Sequence, residues 1–291
     1  MTPMLLALKK KTLTYGRMIK FSHSIFALPF ALSAVVLAWK DHSPTLGSVF
    51  WILIAMVAAR SAAMGFNRIA DARVDGKNPR TAIREIPAGV LSTTEAVLFV
   101  GLSSLVFVLA AAMLSPLCLK LSLPVLAALM FYSYTKRFTA LCHIYLGFAI
   151  SLAPVGTWIA LTGTLSWGIV FLALSLWTYI AGFDILYACQ DIEFDREQGL
   201  FSLPAKWGAK RAMNISWALH GLTLVFFGAT YKSFAMHPVF LIFLAAIGIL
   251  LIVEHLLVNP KDLSRINLAF FHMNSLVSLL LLAGVVTQSL L

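Results

Sequence analysis

Residues 65–80 read GFNRIADARVDGKNPR, and this stretch gathers charge at the end of an apolar segment. Its two carboxylates, Asp71 and Asp75, are four residues apart, and three cations lie among and after them. Residues 46–64, just before it, carry no charge apart from Arg60. Charge placed in this way at the end of a hydrophobic helix indicates a functional site, because unpaired charges at membrane depth are costly.

The composition is that of a membrane protein. The chain has 291 residues, of which 60% are hydrophobic and 12% are charged, against about 25% charged in a typical soluble domain. A helix needs about 20 apolar residues to cross a bilayer, and the sequence supplies nine such runs. We therefore predict an all-α, integral, multi-pass membrane protein. The predicted spans lie near residues 19–39, 46–68, 92–114, 117–135, 141–162, 167–191, 212–231, 238–258 and 267–290.

The positions of the cations predict the orientation. Of the 22 Lys and Arg residues, all but Lys40, Arg60, Lys120 and Lys232 lie in the N-terminal segment, in the connections after the even-numbered spans, or on their flanks. This pattern predicts a cytoplasmic N-terminus and an external C-terminus. The net charge of +10 thus reflects topology and attraction to membrane lipid, and it does not indicate binding to nucleic acid.

An internal repeat relates the two charged motifs. Asp71 and Asp191 are 120 residues apart, as are Asp75 and Asp195. Parallel repeats of this kind often form a site at their interface. We predict one transmembrane domain over residues 1–291, with repeat halves of roughly 17–135 and 141–258 and a ninth helix at 267–290.

Helical spacing places both motifs in stripes. Asn67, Asp71 and Asp75 follow at four-residue steps down one face of the second span. The second motif, in FDILYACQDIEFDREQGL (residues 183–200), is predicted to form one continuous stripe on the sixth span. Its members are Asp184, Tyr187, Asp191 and Asp195.

Two DxxxD pairs at one membrane surface suit a metal-bound diphosphate. Mg²⁺ takes one or two protein carboxylates and completes its octahedron with water and phosphate oxygens. The alternative is that each Asp forms a salt bridge with a loop arginine. The candidate metal ligands are Asn67, Asp71, Asp75, Asp191 and Asp195, with Asn67 alternatively forming a hydrogen bond between helices. Among the nearby cations, Arg80, Arg84 and Lys136 are the candidates for binding diphosphate.

The paired motifs resemble those of the UbiA superfamily of intramembrane aromatic prenyltransferases. NRIADARVD, followed by NPRTAIRE, and DILYACQDIEFD match its patterns NxxxDxxxD and DxxYxxxDxxxD. FSHSIFALPFAL and YTKRFTALCHIYLG are similar to the branch containing 4-hydroxybenzoate polyprenyltransferases. Glu85 stands where many members have Pro, and some menaquinone-pathway members that use 1,4-dihydroxy-6-naphthoate are similar here.

The resemblance implies Mg²⁺-dependent transfer from a polyprenyl diphosphate to a small aromatic acid in quinone biosynthesis. Turnover is then expected to depend on Asp71 and Asp191, and the protein to lie in a bacterial inner membrane. The acceptor is 4-hydroxybenzoate or, alternatively, 1,4-dihydroxy-6-naphthoate. A motif carboxylate, the leaving diphosphate or water would take the ring proton.

Four further residues are candidates for binding the acceptor. Arg60 lies inside a span and needs an anionic partner, which is either Asp184 or the acceptor's carboxylate. Tyr187 either orients the substrate or packs between helices. His23 either lines the cavity, as the resemblance implies, or packs at the interface.

A transporter is the competing class of function. Nine spans, a repeat and intramembrane charge would suit one. Against it, the acidic residues cluster in metal-ligand pairs on the cytoplasmic side, and the sequence has no paired broken helices near mid-membrane. A non-catalytic assembly factor is a weaker alternative.

Overall fold

A computed structural model describes residues 3–258, 266 and 269–291. The regular structure of these residues is helical, without β-strands. Nine helices in the described part are long and apolar enough to cross a membrane, which confirms the predicted all-α, multi-pass fold. They cover Phe21–His42, Leu46–Asp75, Thr93–Leu114, Pro116–Thr135, Cys142–Thr162, Trp167–Glu197, Ala209–Ser233, Phe240–Leu257 and Phe271–Ser289.

The first span starts with a turn instead of a regular helix. Helix α1 (Pro3–Met18) ends just before Lys20, whose φ of 50° is left-handed. A 3₁₀ segment, Phe21–Phe26, then leads into α2 (Leu28–His42). The α-helical part of this span therefore begins later than residue 19, where the apolar run begins.

Helix α3 (Leu46–Asp75) carries the first motif on its last turns. It has 30 residues, or roughly 45 Å at about 1.5 Å each, against about 30 Å for the hydrocarbon core of a bilayer. Because the helix exceeds the core and its charged residues lie at this end, we expect Asp71 and Asp75 to lie outside the hydrocarbon. The helices after it are α4 (Thr93–Leu114), α5 (Pro116–Thr135) and α6 (Cys142–Thr162).

Helix α7 (Trp167–Ala188) does not continue as one α-helix through the second motif. A 3₁₀ turn, Cys189–Asp191, separates it from α8 (Ile192–Glu197). The α-helix that the predicted stripe assumed is therefore interrupted at this point, because a 3₁₀ turn has 3.0 residues per turn instead of 3.6 and rotates the next residues about the helix axis. The remaining elements are α9 (Leu203–Trp207), α10 (Ala209–Ser233), α11 (Phe240–Leu257), a π-helical turn (Ala269–Met273) and α12 (Asn274–Ser289).

The span containing α7 forms the centre of the bundle. A larger share of its apolar residues is buried than in any other of the nine spans. Helix α7 packs against α6 and α10, while α3 packs against α4 and α5. Small residues allow the close approach, since a Cβ at Gly147 would overlap the Trp177 carbonyl oxygen. Such contacts are typical of membrane helices, which associate through tight packing.

Three predictions concern features beyond these helices. The cytoplasmic N-terminus rests on the distribution of cations and stays a prediction, as do the repeat halves 17–135 and 141–258. The ninth helix was expected from residue 267, and residues 267 and 268 lie outside the described part. Lys261 and Arg265, counted in the connection after the eighth span, also lie outside it.

Candidate active site

The first motif lies on the last turns of α3. Asn67 Nδ2 donates to Asp71 Oδ2 at 2.8 Å and lies 3.4 Å from Ser133 Oγ on α5. Asn67 therefore orients the Asp71 carboxylate and also links two helices. The other Asp71 oxygen lies 3.4 Å from Nη2 of Arg137, which also donates to the Ala70 carbonyl.

Asp75 is buried at the end of α3, with 6% of its surface exposed. Arg84 Nη1 lies 2.6 Å from both of its carboxylate oxygens. The Thr81 hydroxyl donates to the Asp75 carbonyl at 3.1 Å. The loop over residues 76–91 thus folds back on the helix that precedes it.

The same loop crosses to the second motif. Arg80 binds Asp191 through two hydrogen bonds, from Nε at 3.1 Å and from Nη2 at 2.5 Å. Its Nη1 donates to the Tyr187 hydroxyl at 3.0 Å, and Asn78 Nδ2 donates to Asp191 Oδ1 at 3.3 Å. The Asn78 side chain also accepts a hydrogen bond from the Arg80 backbone N–H. This Asx turn fixes the backbone at Arg80 and so directs its side chain toward Asp191. A residue from the first half therefore completes the second motif.

The environment of Arg80 favours its charged form. Burial by itself would lower the pKa of the guanidinium, but the hydrogen bonds and charge of Asp191 outweigh burial and raise the pKa above its ordinary value. The planar guanidinium matches the carboxylate in a bidentate pair.

Asp195, on α8, is fully buried. Lys136 Nζ lies 2.7 Å from its Oδ1, and the Ser202 hydroxyl donates to its Oδ2 at 2.8 Å. The Ser202 hydroxyl also accepts from the Ala205 backbone N–H at 3.2 Å, as the N-cap of α9. The loop between α8 and α9 thus fixes this carboxylate.

Every motif carboxylate consequently has a cationic partner. The alternative expected a salt bridge to arginine, and three of the four carboxylates have one, while Asp195 pairs with a lysine. The cations expected to bind diphosphate are three of the four partners. In the described part of the chain, no group of three or more His, Cys, Asp or Glu side chains lies close enough to hold one metal ion. The carboxylates instead form two sets at the ends of α3 and α7. The four pairs are Asp71–Arg137, Asp75–Arg84, Asp191–Arg80 and Asp195–Lys136.

The expected pairing of Arg60 with Asp184 is wrong. Asp184 Oδ2 lies 2.6 Å from Nδ1 of His143. Arg60 Nη2 instead donates to the carbonyl of Lys20 at 3.0 Å and lies 3.4 Å from that of Ile19. The chain leaves α-helical geometry after α1, and the guanidinium joins α3 to this turn; the Lys20 carbonyl also accepts a hydrogen bond from the His23 backbone N–H at 2.9 Å.

The other two candidates for acceptor binding, His23 and Tyr187, contact different groups of residues. The His23 ring packs against Phe26 and Phe271, with centroids 5.2 and 5.7 Å apart. Tyr187 contacts Arg80 through its hydroxyl and so belongs to the layer of ion pairs.

A cleft of about 500 Å³ opens beside the first motif. Three cations line it together with apolar side chains, so it can accept an anion next to Asp71. Its lining residues are Ala70, Arg73, Val74, Lys77, Arg137 and Leu200.

Sequence reasoning missed several polar residues of this site. Asn78 was accessible from the Asn78–Pro79 turn signal, since Asn before Pro favours a turn. Arg137 adjoins Lys136 but was not among the cations predicted to bind diphosphate. His143 and Ser202 carried no local signal, because only the packing of distant helices and loops brings them to Asp184 and Asp195.

Comparisons with known proteins agree with this architecture. A family model described as the UbiA prenyltransferase family matches residues 27–276. The 4-hydroxybenzoate octaprenyltransferase of Vibrio atlanticus (strain LGP32) is 31% identical over 247 residues, which are 84% of this chain and 85% of that protein.

Solved structures share the fold. The apo structure of a UbiA homolog from Aeropyrum pernix K1 superposes with a TM-score of 0.82 at 31% identity, covering 91% of this chain and 97% of that one. A UbiA homolog from Archaeoglobus fulgidus, bound to GPP and Mg²⁺, has a TM-score of 0.71 at 18% identity and covers 96% of this chain and all of that one.

Proposed function

The chain belongs to the UbiA prenyltransferase family, and we propose that it transfers a polyprenyl group from a polyprenyl diphosphate to a small aromatic acid. The observation that carries the proposal is the layer of four carboxylates and four cations at the ends of α3 and α7. We propose 4-hydroxybenzoate as the acceptor, because a relative covering most of the chain bears that name. The alternative acceptor is 1,4-dihydroxy-6-naphthoate.

The donor set fits Mg²⁺. Its oxygen ligands would come from Asp71 and Asp75, with Asn67 beside them, and from Asp191 and Asp195. Mg²⁺ prefers carboxylate oxygens and leaves positions for phosphate, and one or two carboxylates per ion agree with two separate sets. When bound, the ion would stabilise the negative charge that develops on the departing diphosphate.

Arg80, Arg84 and Lys136 would bind the diphosphate. Each now contacts a motif carboxylate, so binding requires them to turn from the carboxylates to phosphate oxygens. Guanidinium groups make the same bidentate contact with phosphate as with carboxylate. Their positive charge then stabilises the leaving group as the allylic C–O bond breaks.

The acceptor would lie on the inner side of this layer, near Arg60, Asp184, Tyr187 and His23. Arg60 keeps a buried Nε without a hydrogen-bond partner in the described part, so it retains a donor for a carboxylate. The isoprenoid tail would extend among the apolar helices or between them into membrane lipid. We place the protein in a bacterial inner membrane.

The test incubates purified protein in nanodiscs with a polyprenyl diphosphate, Mg²⁺ and each of the two acceptors, and detects prenylated product by mass spectrometry. We expect product, its loss in EDTA, and a decrease of orders of magnitude in Asp71→Asn and Asp191→Asn. Glu95→Gln is the matched control, because Glu95 caps α4 and pairs with Lys11. Absence of product with either acceptor from folded wild-type protein, or full activity in EDTA, would reject the proposal. Uptake of a substrate into sealed vesicles without product would favour a transporter.

A further inference from the structure

A histidine and an aspartate form an isolated pair inside the bundle. His143 lies in the first turn of α6, and its Nδ1 is 2.6 Å from Oδ2 of Asp184 on α7. The histidine side chain is 4% exposed and the aspartate side chain 18%. The carboxylate therefore retains some open surface, while the imidazole behind it is enclosed.

The pair lies next to the ion-pair layer but is separate from it. Asp184 precedes Tyr187 by one helical turn on α7, and the Tyr187 hydroxyl receives a hydrogen bond from Arg80. Asp184 precedes Asp191 by seven residues, or about 10 Å along a helix. Asp184 therefore lies about one helical turn from a residue that contacts the ion-pair layer.

Asp184 differs in its partner from the four carboxylates of the two DxxxD pairs. Each of those four pairs with Arg or Lys, whereas within the described residues Asp184 pairs with His143 alone. No cation assigned to the diphosphate contacts it. Its second oxygen, Oδ1, makes no hydrogen bond to the described residues, so a basic oxygen is available on the inner side of the layer.

We propose that Asp184, positioned by His143, accepts the proton that the acceptor ring loses on prenylation. The inference rests on the proposed function and assigns the base of that reaction. In the proposed site the leaving diphosphate would be held by Mg²⁺ and by Arg80, Arg84 and Lys136, which would lower the basicity of its oxygens and favour a protein carboxylate as the base.

The proton reaches Asp184 at the end of the transfer. The allylic C–O bond of the donor breaks with its electron pair leaving on diphosphate, and a ring carbon beside the hydroxyl forms the new C–C bond. The C–H bond at that carbon then breaks, its electron pair restores the aromatic ring, and the proton moves to Asp184 Oδ1. His143 holds Oδ2 and so fixes the direction of Oδ1. His143 is therefore a positioning residue.

The competing explanation is that the pair only joins α6 to α7. A hydrogen isotope effect on kcat separates the two roles. Loss of the base slows C–H cleavage until that step limits the rate, whereas a merely structural change does not slow that step selectively. The experiment compares 4-hydroxybenzoate with the same acid deuterated at both ring carbons beside the hydroxyl, at saturating donor and Mg²⁺. The isotope ratio on kcat is measured for wild type, Asp184→Asn, His143→Gln and His143→Leu.

We expect an isotope ratio near unity for wild type, where proton loss is fast. Asp184→Asn should lower kcat on the order of 10²-fold or more, raise the isotope ratio clearly above unity, and leave the KM for donor unchanged. His143→Leu should show a smaller change of the same kind. His143→Gln, which retains a hydrogen-bond donor, should recover much of the rate.

Several results would overturn the assignment. They are an unchanged kcat in Asp184→Asn, a slower reaction whose isotope ratio stays at unity, and a raised KM for donor as the main effect. Should Asp184→Asn fail to fold, the two His143 variants decide, since equal rates and isotope ratios in both reject the positioning role. Failure of the proposed function is distinguishable, because wild type would then form no prenylated product with either acceptor.

Discussion

Lys136→Met removes the cation that neutralises a fully buried carboxylate, and we expect a large loss of stability. Lys136 Nζ lies 2.7 Å from Asp195 Oδ1, and the Asp195 side chain has no exposed surface. At an effective dielectric constant of about 20, two unit charges at this distance attract by roughly 6 kcal/mol, part of which offsets their desolvation. Removing one partner leaves the other charge buried and unpaired, at a cost of about 3–5 kcal/mol.

Thermal unfolding in detergent, without Mg²⁺ or donor and followed by tryptophan fluorescence, measures this loss. With about 2 °C per kcal/mol for a chain of this size, Tm should fall by roughly 6–10 °C. The matched control is Lys11→Met, because Lys11 forms an exposed pair with Glu95 at 2.9 Å and exposed pairs add little stability. Adding Asp195→Asn to Lys136→Met should restore most of the loss.

Two results would refute this reasoning. One is a wild-type Tm for Lys136→Met. The other is an equal shift in Lys136→Met and Lys11→Met, which would mean that burial does not set the strength of the pair.

Other contacts lead us to expect three further outcomes. Arg68 Nε donates to the carbonyl at the end of α1 at 2.9 Å, so Arg68→Leu should orphan that buried carbonyl, cost about 1–3 kcal/mol and speed tryptic cleavage after Lys20. Gly147→Ala should lower Tm because its Cβ would overlap a backbone oxygen of α7, whereas Gly156→Ala on the same helix meets nothing within 4 Å and should keep or raise Tm. Burial and nearby arginines lower the pKa of Lys20, while its acidic partner Glu95 raises the pKa of Lys11. Only the neutral amine reacts with an acylating reagent, so mass spectrometry should detect acylation of Lys20 at a lower pH than acylation of Lys11.

The spans and the spacing of the motifs were predictable from sequence because they depend on local properties. An apolar run long enough to cross a bilayer has few alternatives to a helix. Four-residue spacing then places Asn67 and Asp71 one above the other, and their side chains are in hydrogen-bond contact in the structure. The spacing did not predict the 3₁₀ turn at Cys189–Asp191, which interrupts the α-helix, although Tyr187 and Asp191 still contact the same arginine.

The partners of the charged residues were not predictable because they depend on how loops cross the bundle. Arg60 was expected to have an anionic partner, but it donates to backbone carbonyls in the turn after α1, and that turn is set by the path of the chain. Arg80 was identified as a ligand for phosphate, yet its reach to Asp191 depends on the path of the loop after α3. The separation of two residues along the chain does not predict such contacts between a loop and a distant helix.

The matched charges at the ends of α3 and α7 imply thermodynamic coupling between the metal ion and the diphosphate. A metal ion that binds alone would have to draw the carboxylates away from arginine and lysine and would leave those cations unpaired. A diphosphate that binds alone would take the cations and leave the carboxylates unpaired. When both ligands bind, every released group finds a new partner of opposite charge. Each ligand should therefore raise the affinity for the other by the same factor, as linkage requires, and the bare ion should bind weakly to the protein without its donor.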